Sequence, residues 1–247
     1  RVVSRVVTPG TVVEPGLLPE RANNYIAAVF SDKQITGFAY ADVSTGEFAV
    51  TEWVDGSDVT RRLREELARL NVAELVFPAE DKRWAPSDPV ELRQAAERAH
   101  LSPEAAWKFE YDTARAALLN HFGVTSLAGF GCDEMTAGIR AAGGLLQYLQ
   151  EAQRDSLAQL TSLRAYSTSD FMTLDAATRR SLELTETIRG GKSEGSLLGV
   201  LDRTLTAMGG RLLRRWLGQP LLNSAALDRR LDAVARWKAE PALRTEL

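Results

Sequence analysis

The sequence predicts an α/β domain followed by an all-α segment, and three observations lead to this prediction. Three stretches near the start of the chain are rich in β-branched and aromatic residues and are separated by short turn sequences. Apolar runs then alternate with stretches of helical periodicity, which is the order expected of a sheet with crossover helices. Beyond residue 170 the strand pattern ends, and apolar residues recur every three or four positions.

The α/β domain is predicted over residues 17–153, after an extended linker over residues 1–16 that contains two Pro-Gly pairs. A three-stranded antiparallel meander comes first, and the later strands are expected to pair in parallel because helices separate them. The predicted strands, about five in all, are Asn24–Ser31, Gln34–Ser44, Glu47–Val54, Ala73–Phe77 and Trp107–Tyr111. The predicted helices are Ser57–Leu70, a short one within 90–98, Thr113–His121 capped by Asp112, and one from Asp133 or Glu134 to Gln153.

The all-α segment is predicted over residues 170–247, after a mobile linker over residues 154–169. Its helices are Leu174–Ile188, Ser196–Leu217 and Ser224–Glu240, the last with Ser224 as N-cap. A break is expected near Thr204, where threonines and glycines lower the helix propensity. The apolar stripes of these helices are expected to need partners outside this chain.

Composition and charge agree with a folded chain of two modest domains. The 247 residues are 45% hydrophobic and 26% charged, which is ordinary for a soluble globular protein. Residues 1–153 hold 15 basic and 22 acidic side chains, whereas residues 154–247 hold 15 basic and 11 acidic ones. The second part is therefore better suited to a polyanion such as DNA.

The cysteine and histidine content excludes several classes of protein. Cys132 is the only cysteine, so an intramolecular disulfide is impossible and a cytoplasmic location is expected. Cys132, His100 and His121 are too few for a zinc site. No run approaches the ~20 apolar residues of a membrane helix, and the first residues lack the apolar core of a signal peptide. The missing initiator Met suggests a piece of a longer polypeptide.

The string Gly190-Gly191-Lys192-Ser193 imitates the end of a phosphate-binding loop. That loop needs a glycine five positions ahead of the glycine in its Gly-Lys-Ser, so that backbone amides wrap the phosphates. Glu186 stands at that position, and a carboxylate there repels phosphate. We expect a loop between helices.

A mixed sheet that begins with a meander is also the plan of ribonuclease-H-like nucleases. Those enzymes hold two metal ions with carboxylates from the first strand and its neighbours. The interior of the first strand, Tyr25 to Phe30, carries no acid, and Asp42 and Asp81 lie on or after other strands. We therefore expect the fold without the chemistry, with Asp42 stabilising the following turn.

Nucleophilic catalysis has equally little support in the sequence. Cys132 lies near the start of a helix, where a thiol pKa is sometimes lowered, and His121 precedes it by 11 residues without an evident third partner. We expect Cys132 to be a small loop residue and His100 to lie on the surface.

Arg211, Arg214 and Arg215 interleave with Leu212, Leu213 and Trp216 and are candidate contacts for a phosphate backbone. The alternative is a solvated helical face that balances Asp202 and the helix C-terminus. The same two interpretations apply to Arg179 and Arg180.

Five long strings resemble the DNA mismatch repair MutS family. They are RVVTPGT (Arg5–Thr11), NNYIAAV (Asn23–Val29), GFAYADVSTGEF (Gly37–Phe48), FMTLDAATRRSLELT (Phe171–Thr185) and SLLGVLDRTLTAMGGRLLRRWLGQPL (Ser196–Leu221). RLDAV (Arg230–Val234) belongs to the same pattern. The resemblance covers essentially the whole chain in the family's order, and the last two long strings are highly specific.

The resemblance implies a piece from the middle of such a protein. Residues 17–153 then correspond to the connector domain, which is ribonuclease-H-like without nuclease activity in the family, and residues 170–247 begin the helical core that leads into the lever helices. The mismatch-reading domain, with its Phe-x-Glu motif, and the ATPase domain lie outside, and no Phe-x-Glu occurs here. The chain is therefore expected to be no enzyme and to hold no cofactor, with ATP and Mg used by the full-length protein.

The resemblance also implies partners. These are the remaining MutS domains, mismatched DNA through the full protein, and a MutL-type protein, but no membrane. The surface offered to MutL would include the helix after Asp112, with Asp112, Arg115, Ala116 and Ala117 as candidate contacts. Two rival interpretations are a metal-dependent nuclease on the same fold and a MutS-like recombination scaffold.

Overall fold

The computed structural model contains the α/β unit and the helical segment that the sequence predicts. It describes residues 8–12, 20–32, 34–54, 56, 58–81, 96, 99–153 and 157–242. The strands are β1 (Ile26–Ser31), β2 (Ile35–Asp42), β3 (Glu47–Val54), β4 (Glu74–Pro78), β5 (His100–Glu104) and β6 (Arg164–Ala165). The α-helices are α1 (Val59–Leu70), α2 (Tyr111–Phe122), α3 (Thr136–Ala152), α4 (Ala176–Ser181), α5 (Leu197–Leu201), α6 (Ala207–Gly218) and α7 (Ser224–Ala239).

The sheet is mixed and has the strand order β5-β4-β1-β2-β3-β6. The antiparallel meander β1–β2–β3 is confirmed, with Ile26 opposite Ala41 and Asp42 opposite Glu47. The predicted parallel pairing is also confirmed, because β4 lies parallel to β1 and β5 lies parallel to β4. The sixth strand was not predicted: β6 lies within the predicted linker and pairs in parallel with β3.

Both faces of the sheet are covered, and side chains alternate between them. Ile26, Ala28 and Phe30 of β1 face a core formed with α2 and α3. Ala27 and Val29 face the opposite core, which the apolar stripe of α1 closes. The central strands are therefore buried on both sides, which makes the α/β unit a rigid body.

Glycines allow α3 to approach its neighbours closely. A Cβ atom at Gly37 would overlap the backbone of Ala137, and one at Gly143 would overlap Ala114 of α2. Glu52 on β3 also accepts the N–H groups of Ala137 and Gly138, both at 3.1 Å, and so caps the first turn of α3. The position of α2 on the surface therefore depends on the absence of a side chain at Gly143.

The strand predicted over Trp107–Tyr111 was wrong. These residues include a 3₁₀ turn, Ala106–Phe109, and the fifth strand is His100–Glu104. Phe109 is buried, but Trp107 is 53% exposed, so the aromatic alternation does not mark one face of a strand. Strand β5 escaped prediction because it is polar and contains Pro103, which is tolerated at a sheet edge.

Several predicted boundaries change at the helices of the α/β unit and its flanks. Helix α2 begins at Tyr111 after Glu110, so Asp112 lies in its first turn and does not cap it. The extended linker predicted over 1–16 contains a 3₁₀ turn at Pro9–Thr11, and the rest of that linker after Val12 and before Thr8 lies outside the described residues. Of the short helix predicted within 90–98, only Ala96 is described.

In the helical segment, the helix predicted over Leu174–Ile188 is much shorter. Only Ala176–Ser181 is α-helical, and Glu183 adopts a positive φ of 45°. Thr187 donates its hydroxyl to the carbonyl of Arg189, which is the local hydrogen bonding that competes with a helix. The break near Thr204 is confirmed, because α5 ends at Leu201 and α6 begins at Ala207. The N-cap of α7 is Asn223, one residue earlier than predicted.

Replacing Gly143 by alanine should lower the free energy of unfolding. Alanine gains about 1 kcal/mol of helix propensity over glycine, but its Cβ overlaps the backbone of α2, and overpacking costs about 1–3 kcal/mol. We expect a net loss of about 1–2 kcal/mol, measured by urea unfolding. Gly129→Ala is the matched control, because a Cβ there meets nothing within 4 Å. Equal stability of the two variants would contradict the close-packing argument.

Candidate functional site

The helical segment meets the α/β unit at a joint built from polar side chains. Arg21, which precedes β1, lies 3.3 Å from the carboxylate of Asp202 and donates to the carbonyl of Thr204 at 2.9 Å. Its aliphatic stem lies beside Gly210 of α6. The hydroxyl and N–H of Thr204, together with Arg21, hold the pKa of the Asp202 carboxyl below its usual range. Asp202 therefore stays ionised as the anionic side of this contact.

The carboxylate of Glu47 forms the second set of contacts in the joint. It begins β3, and its carboxylate accepts the hydroxyls of Tyr25 at 3.0 Å and Tyr40 at 3.2 Å. Arg215 of α6 lies 3.4 Å from the same carboxylate, and Arg164 of β6 lies 3.9 Å away. Burial, and then Glu47, raise the pKa of Tyr25 above its ordinary value, so that the hydroxyl remains a donor. One carboxylate thus contacts the sheet, β6 and the helical segment.

A third set of contacts ties the segment after β6 to α1. Arg69 and Glu66 form a buried bidentate pair, with distances of 2.9 and 2.6 Å, and the Tyr166 hydroxyl donates to Glu66 at 2.6 Å. Burial opposes the charge on Arg69, but Glu66 outweighs it and holds the pKa of Arg69 well above its ordinary value. Two residues further on, Thr168 accepts the indole N–H of Trp53 at 3.2 Å.

A cleft of about 170 Å³ lies between α1 and the chain that leads into α4. Its lining includes Arg61, Arg62, Arg69 and Arg179. The first three are paired with carboxylates of α1 or of Asp58 before it, and Arg179 donates to the carbonyls of Leu174 and Gly218. The arginines of this cleft are therefore used within the chain, and the cleft is part of the joint.

The candidate phosphate contacts share one side of α6, three and four residues apart. Arg215 is engaged with Glu47. Arg211 and Arg214 are half-buried, and their Nε atoms have no hydrogen-bond partner among the described residues. Asp202, which these arginines were expected to balance, is paired with Arg21 instead. Arg179 has a structural role within the helical segment, where it donates to the carbonyls of Leu174 and Gly218, while Arg180 is exposed.

The candidate partner surface lies on α2. Asp112 and Ala116 are exposed, whereas Arg115 and Ala117 are half-buried. Arg115 lies 3.6 Å from Asp133, which itself accepts the N–H of Leu127 at 3.1 Å. The surface therefore combines small apolar groups with one ion pair that spans α2 and the following loop.

The other residues that sequence analysis considered have structural contacts. Asp42 is fully buried, and it stabilises the turn through the N–H and hydroxyl of Ser44, at 2.9 and 2.6 Å, as predicted. His121 donates to the carbonyl of Leu160 at 2.8 Å, and His100 is exposed as predicted. Gly190–Ser193 lies in an exposed loop, with positive φ at both glycines.

No three His, Cys, Asp or Glu side chains among the described residues come together in a way that fits a metal ion. None of the helices within them combines the length and apolar character needed to cross a membrane.

Sequence reasoning missed the joint. Glu47 and Arg215 are 168 positions apart, and Arg21 and Asp202 are 181 apart. No local pattern marks such pairs. The one available signal was that polar side chains, Glu47 and Asp42, flank the turn between two strongly apolar strands.

Comparison with known proteins identifies the same family in both parts of the chain. The sequence model described as MutS domain II matches residues 24–163, and that of MutS domain III matches residues 177–247. The DNA mismatch repair protein MutS of Synechococcus elongatus is 44% identical over 258 residues, which cover 100% of this chain and 28% of the relative. Those of Thermosynechococcus vestitus and Dehalococcoides mccartyi are 45% and 43% identical, again over 100% of this chain and 28% and 27% of the relatives. The chain spans less than a third of the length of these curated relatives.

Cys132 should react slowly with an alkylating reagent in the folded protein. Burial, and then Asp133, raise the pKa of the Cys132 thiol from 9.0 to about 11. Since the thiolate is the reactive form, this shift alone slows alkylation at pH 8 about 100-fold relative to the chain unfolded in urea. The burial of the neutral Cys132 thiol contributes fully to the free energy of unfolding below the ordinary pKa of 9.0. This contribution is lost as the pH rises through 11. Equal rates for the folded and unfolded chain would contradict this assignment.

Proposed function

Because the chain belongs to the DNA mismatch repair MutS family, we propose that it is the connector and the beginning of the helical core of such a protein, with residues 17–153 and 170–247 in these two roles. In this proposal, it relays position between mismatch recognition, the DNA clamp and the ATPase of the full-length protein. The observation that carries the proposal is the polar joint, in which Glu47 meets Arg215 and Arg21 meets Asp202.

The physical argument rests on the difference between the joint and the α/β core. Partly exposed ion pairs contribute about 0–1 kcal/mol each, whereas the two faces of the sheet are covered by close-packed apolar side chains. A rearrangement of the whole protein therefore breaks the joint before it deforms the sheet. Such a unit moves as a rigid body about a few contacts at element ends.

The helical segment has few buried apolar residues of its own. Leu205 is 96% exposed, and Met208 of α6 is 77% exposed. Trp237 and Val234 of α7 are exposed as well. We propose that the remaining MutS domains cover these side chains in the full-length protein, because large contiguous apolar patches rarely stay in contact with water.

We also propose that this chain has no catalytic centre and that the full-length protein uses ATP and Mg elsewhere. Its buried carboxylates support this, since Asp42 and Glu66 are saturated by donors from the chain. The rival nuclease requires carboxylates free to bind metal ions.

A MutL-type protein is the proposed partner of the α2 surface. Ala116 and Ala117 allow close approach, and Asp112 and Arg115 offer charges of both signs at its rim. For mismatched DNA, bound through the full protein, we propose that Arg211 and Arg214 supply phosphate contacts. Arg215 is engaged with Glu47, so its contribution to DNA binding requires the joint to open.

Arg215→Glu in the full-length protein should weaken the coupling between mismatch binding and ATP hydrolysis. The substitution puts a second carboxylate against Glu47 and turns an attraction into a repulsion. We expect mismatch stimulation of the ATPase to fall about fivefold, the equivalent of about 1 kcal/mol. Arg211→Glu is the matched control, with the same change of charge one turn away on α6.

The two variants separate the joint from DNA binding. The relay would be contradicted if Arg215→Glu and Arg211→Glu lost DNA affinity to the same extent while bound mismatched DNA still stimulated the ATPase normally in both. Normal coupling in Arg215→Glu would contradict it as well.

Arg115→Glu combined with Ala116→Trp should abolish recruitment of a MutL-type protein by the full-length protein on mismatched DNA. The pair removes the ion pair with Asp133 and places a large side chain at the centre of the α2 surface. Recruitment is measured by surface plasmon resonance. Arg180→Glu with Ala177→Trp on α4 is the matched control, because both residues are exposed. Unchanged recruitment by the α2 variant would exclude this surface.

A further inference from the structure

The chain enters the α/β unit through a tight turn that is docked on the sheet. Pro9–Thr11 forms a single 3₁₀ turn, and Thr8 and Thr11 close it through reciprocal hydrogen bonds, including Thr8 N–H to the Thr11 hydroxyl at 2.9 Å. Thr11 is fully buried, and Gly10 is buried too. Five turn residues, Thr8 to Val12, are thus fixed without belonging to any strand or long helix. We call them the entry turn.

Glu74 receives the entry turn. It begins β4 and is fully buried, and its carboxylate accepts the N–H of Gly10 at 3.0 Å. The hydroxyls of Ser102, at 2.6 Å, and of Tyr148 donate to its other oxygen. A buried carboxylate is costly unless donors surround it, so the turn supplies one of the hydrogen-bond donors that Glu74 needs in the core.

The turn approaches the sheet so closely that only glycine fits. A Cβ atom at Gly10 would lie 2.8 Å from Cβ of Ile26 and 2.9 Å from Cβ of Glu74. These two residues are register partners at the start of β1 and β4. The backbone of the turn therefore lies directly on the end of two central strands.

The turn also contacts both places where the chain passes in and out of the unit. Asn24, just before β1, donates its side-chain amide to the carbonyl of Pro9 at 2.9 Å. Gln153, the C-cap of α3, is buried and donates its side-chain amide to the carbonyl of Thr11. After Gln153 the chain continues toward β6 and the helical segment.

We propose that the entry turn is a positioning clamp, which fixes the chain that enters the α/β unit against the helix through which the chain leaves it. Glu74 and Asn24 hold the turn in place, and Gln153 at the end of α3 contacts the turn through its hydrogen bond to Thr11. A displacement of the chain ahead of Thr8 then reaches the end of α3 through one backbone turn, without passing through the sheet. The proposal goes beyond the relay at the joint and does not depend on it.

The clamp predicts that loosening one end of the turn releases the other end. Asn24→Ala removes one side-chain donor to the turn and keeps the backbone N–H of Asn24, which bonds to Asp42. We expect exchange of the Gly10 amide and of the Gln153 side-chain amide to speed up together by about fivefold, the factor that corresponds to one typical hydrogen bond. Both are measured by NMR hydrogen exchange on the whole 247-residue chain, with the amides of Ala28 and Val76 as reporters of the sheet.

Glu74→Gln and Gly10→Ala test the same point from the other contacts. Both should speed exchange at Gly10 or its replacement and at Gln153 by more than Asn24→Ala does. Should Glu74→Gln fail to fold, Asn24→Ala still decides the matter. Asn120→Ala, Glu80→Gln and Gly129→Ala are the matched controls, because these residues are exposed.

Faster exchange at both Gly10 and Gln153, with the sheet reporters unchanged, supports the clamp. Faster exchange at Gly10 alone means that entry and exit are independent, and it overturns the proposal. Equal acceleration at the sheet reporters means that the turn is merely part of the global fold, which also overturns it, as does no change at all.

Discussion

Three carboxylates at one end of the sheet organise everything that enters or leaves it. Asp42 ends β2, Glu47 begins β3, and Glu74 begins β4, and the pairing of these strands brings all three to the same end. Each needs donors because carboxylates are costly to remove from water. Asp42 accepts from Ser44 of its own turn and from Asn23 and Asn24 ahead of β1. Glu74 accepts from Gly10 of the entering chain, and Glu47 pairs with Arg215 of the helical segment. The need of these three carboxylates for hydrogen-bond donors and cations thus determines where the flanking segments contact this end of the sheet.

The strength of the contacts that Glu74 and Glu47 make with the flanking segments depends on their exposure to water. Glu74 is wholly buried, so its bonds to the entry turn act at low dielectric and resist salt. The contact of Glu47 with Arg215 is partly exposed, so it is weaker and is screened by salt. The entering chain is consequently held firmly and the helical segment loosely. This asymmetry supports the proposal that the α/β unit keeps its own shape while the helices next to it change orientation.

Sequence reasoning succeeded where the cause of a structure is local. The period of Leu63, Leu67 and Leu70 matches the buried stripe of α1, and Asp42 bonds to a residue two positions away. It failed where burial depends on distant partners. Trp107–Tyr111 alternates like a strand, but the neighbouring residues Lys108 and Phe109 are both buried, and Lys108 is paired with Glu104 and Glu151. For the same reason, the arginines of α6 were recognisable as a cationic cluster, whereas the bond that holds Arg215 was invisible.

Helix α3 contacts the sheet, α2 and the entry turn, and close packing fixes it against them. Its first turn is capped by Glu52 of β3, Gly143 lies against α2, and Gln153 contacts the entry turn. Contacts this close leave no second arrangement of similar energy, because a packed interior tolerates few intermediate positions. Coupling between distant sites needs an element with two arrangements. In the described part of the chain, the joint around Glu47 has weak, partly exposed polar contacts, whereas α3 is held by close packing.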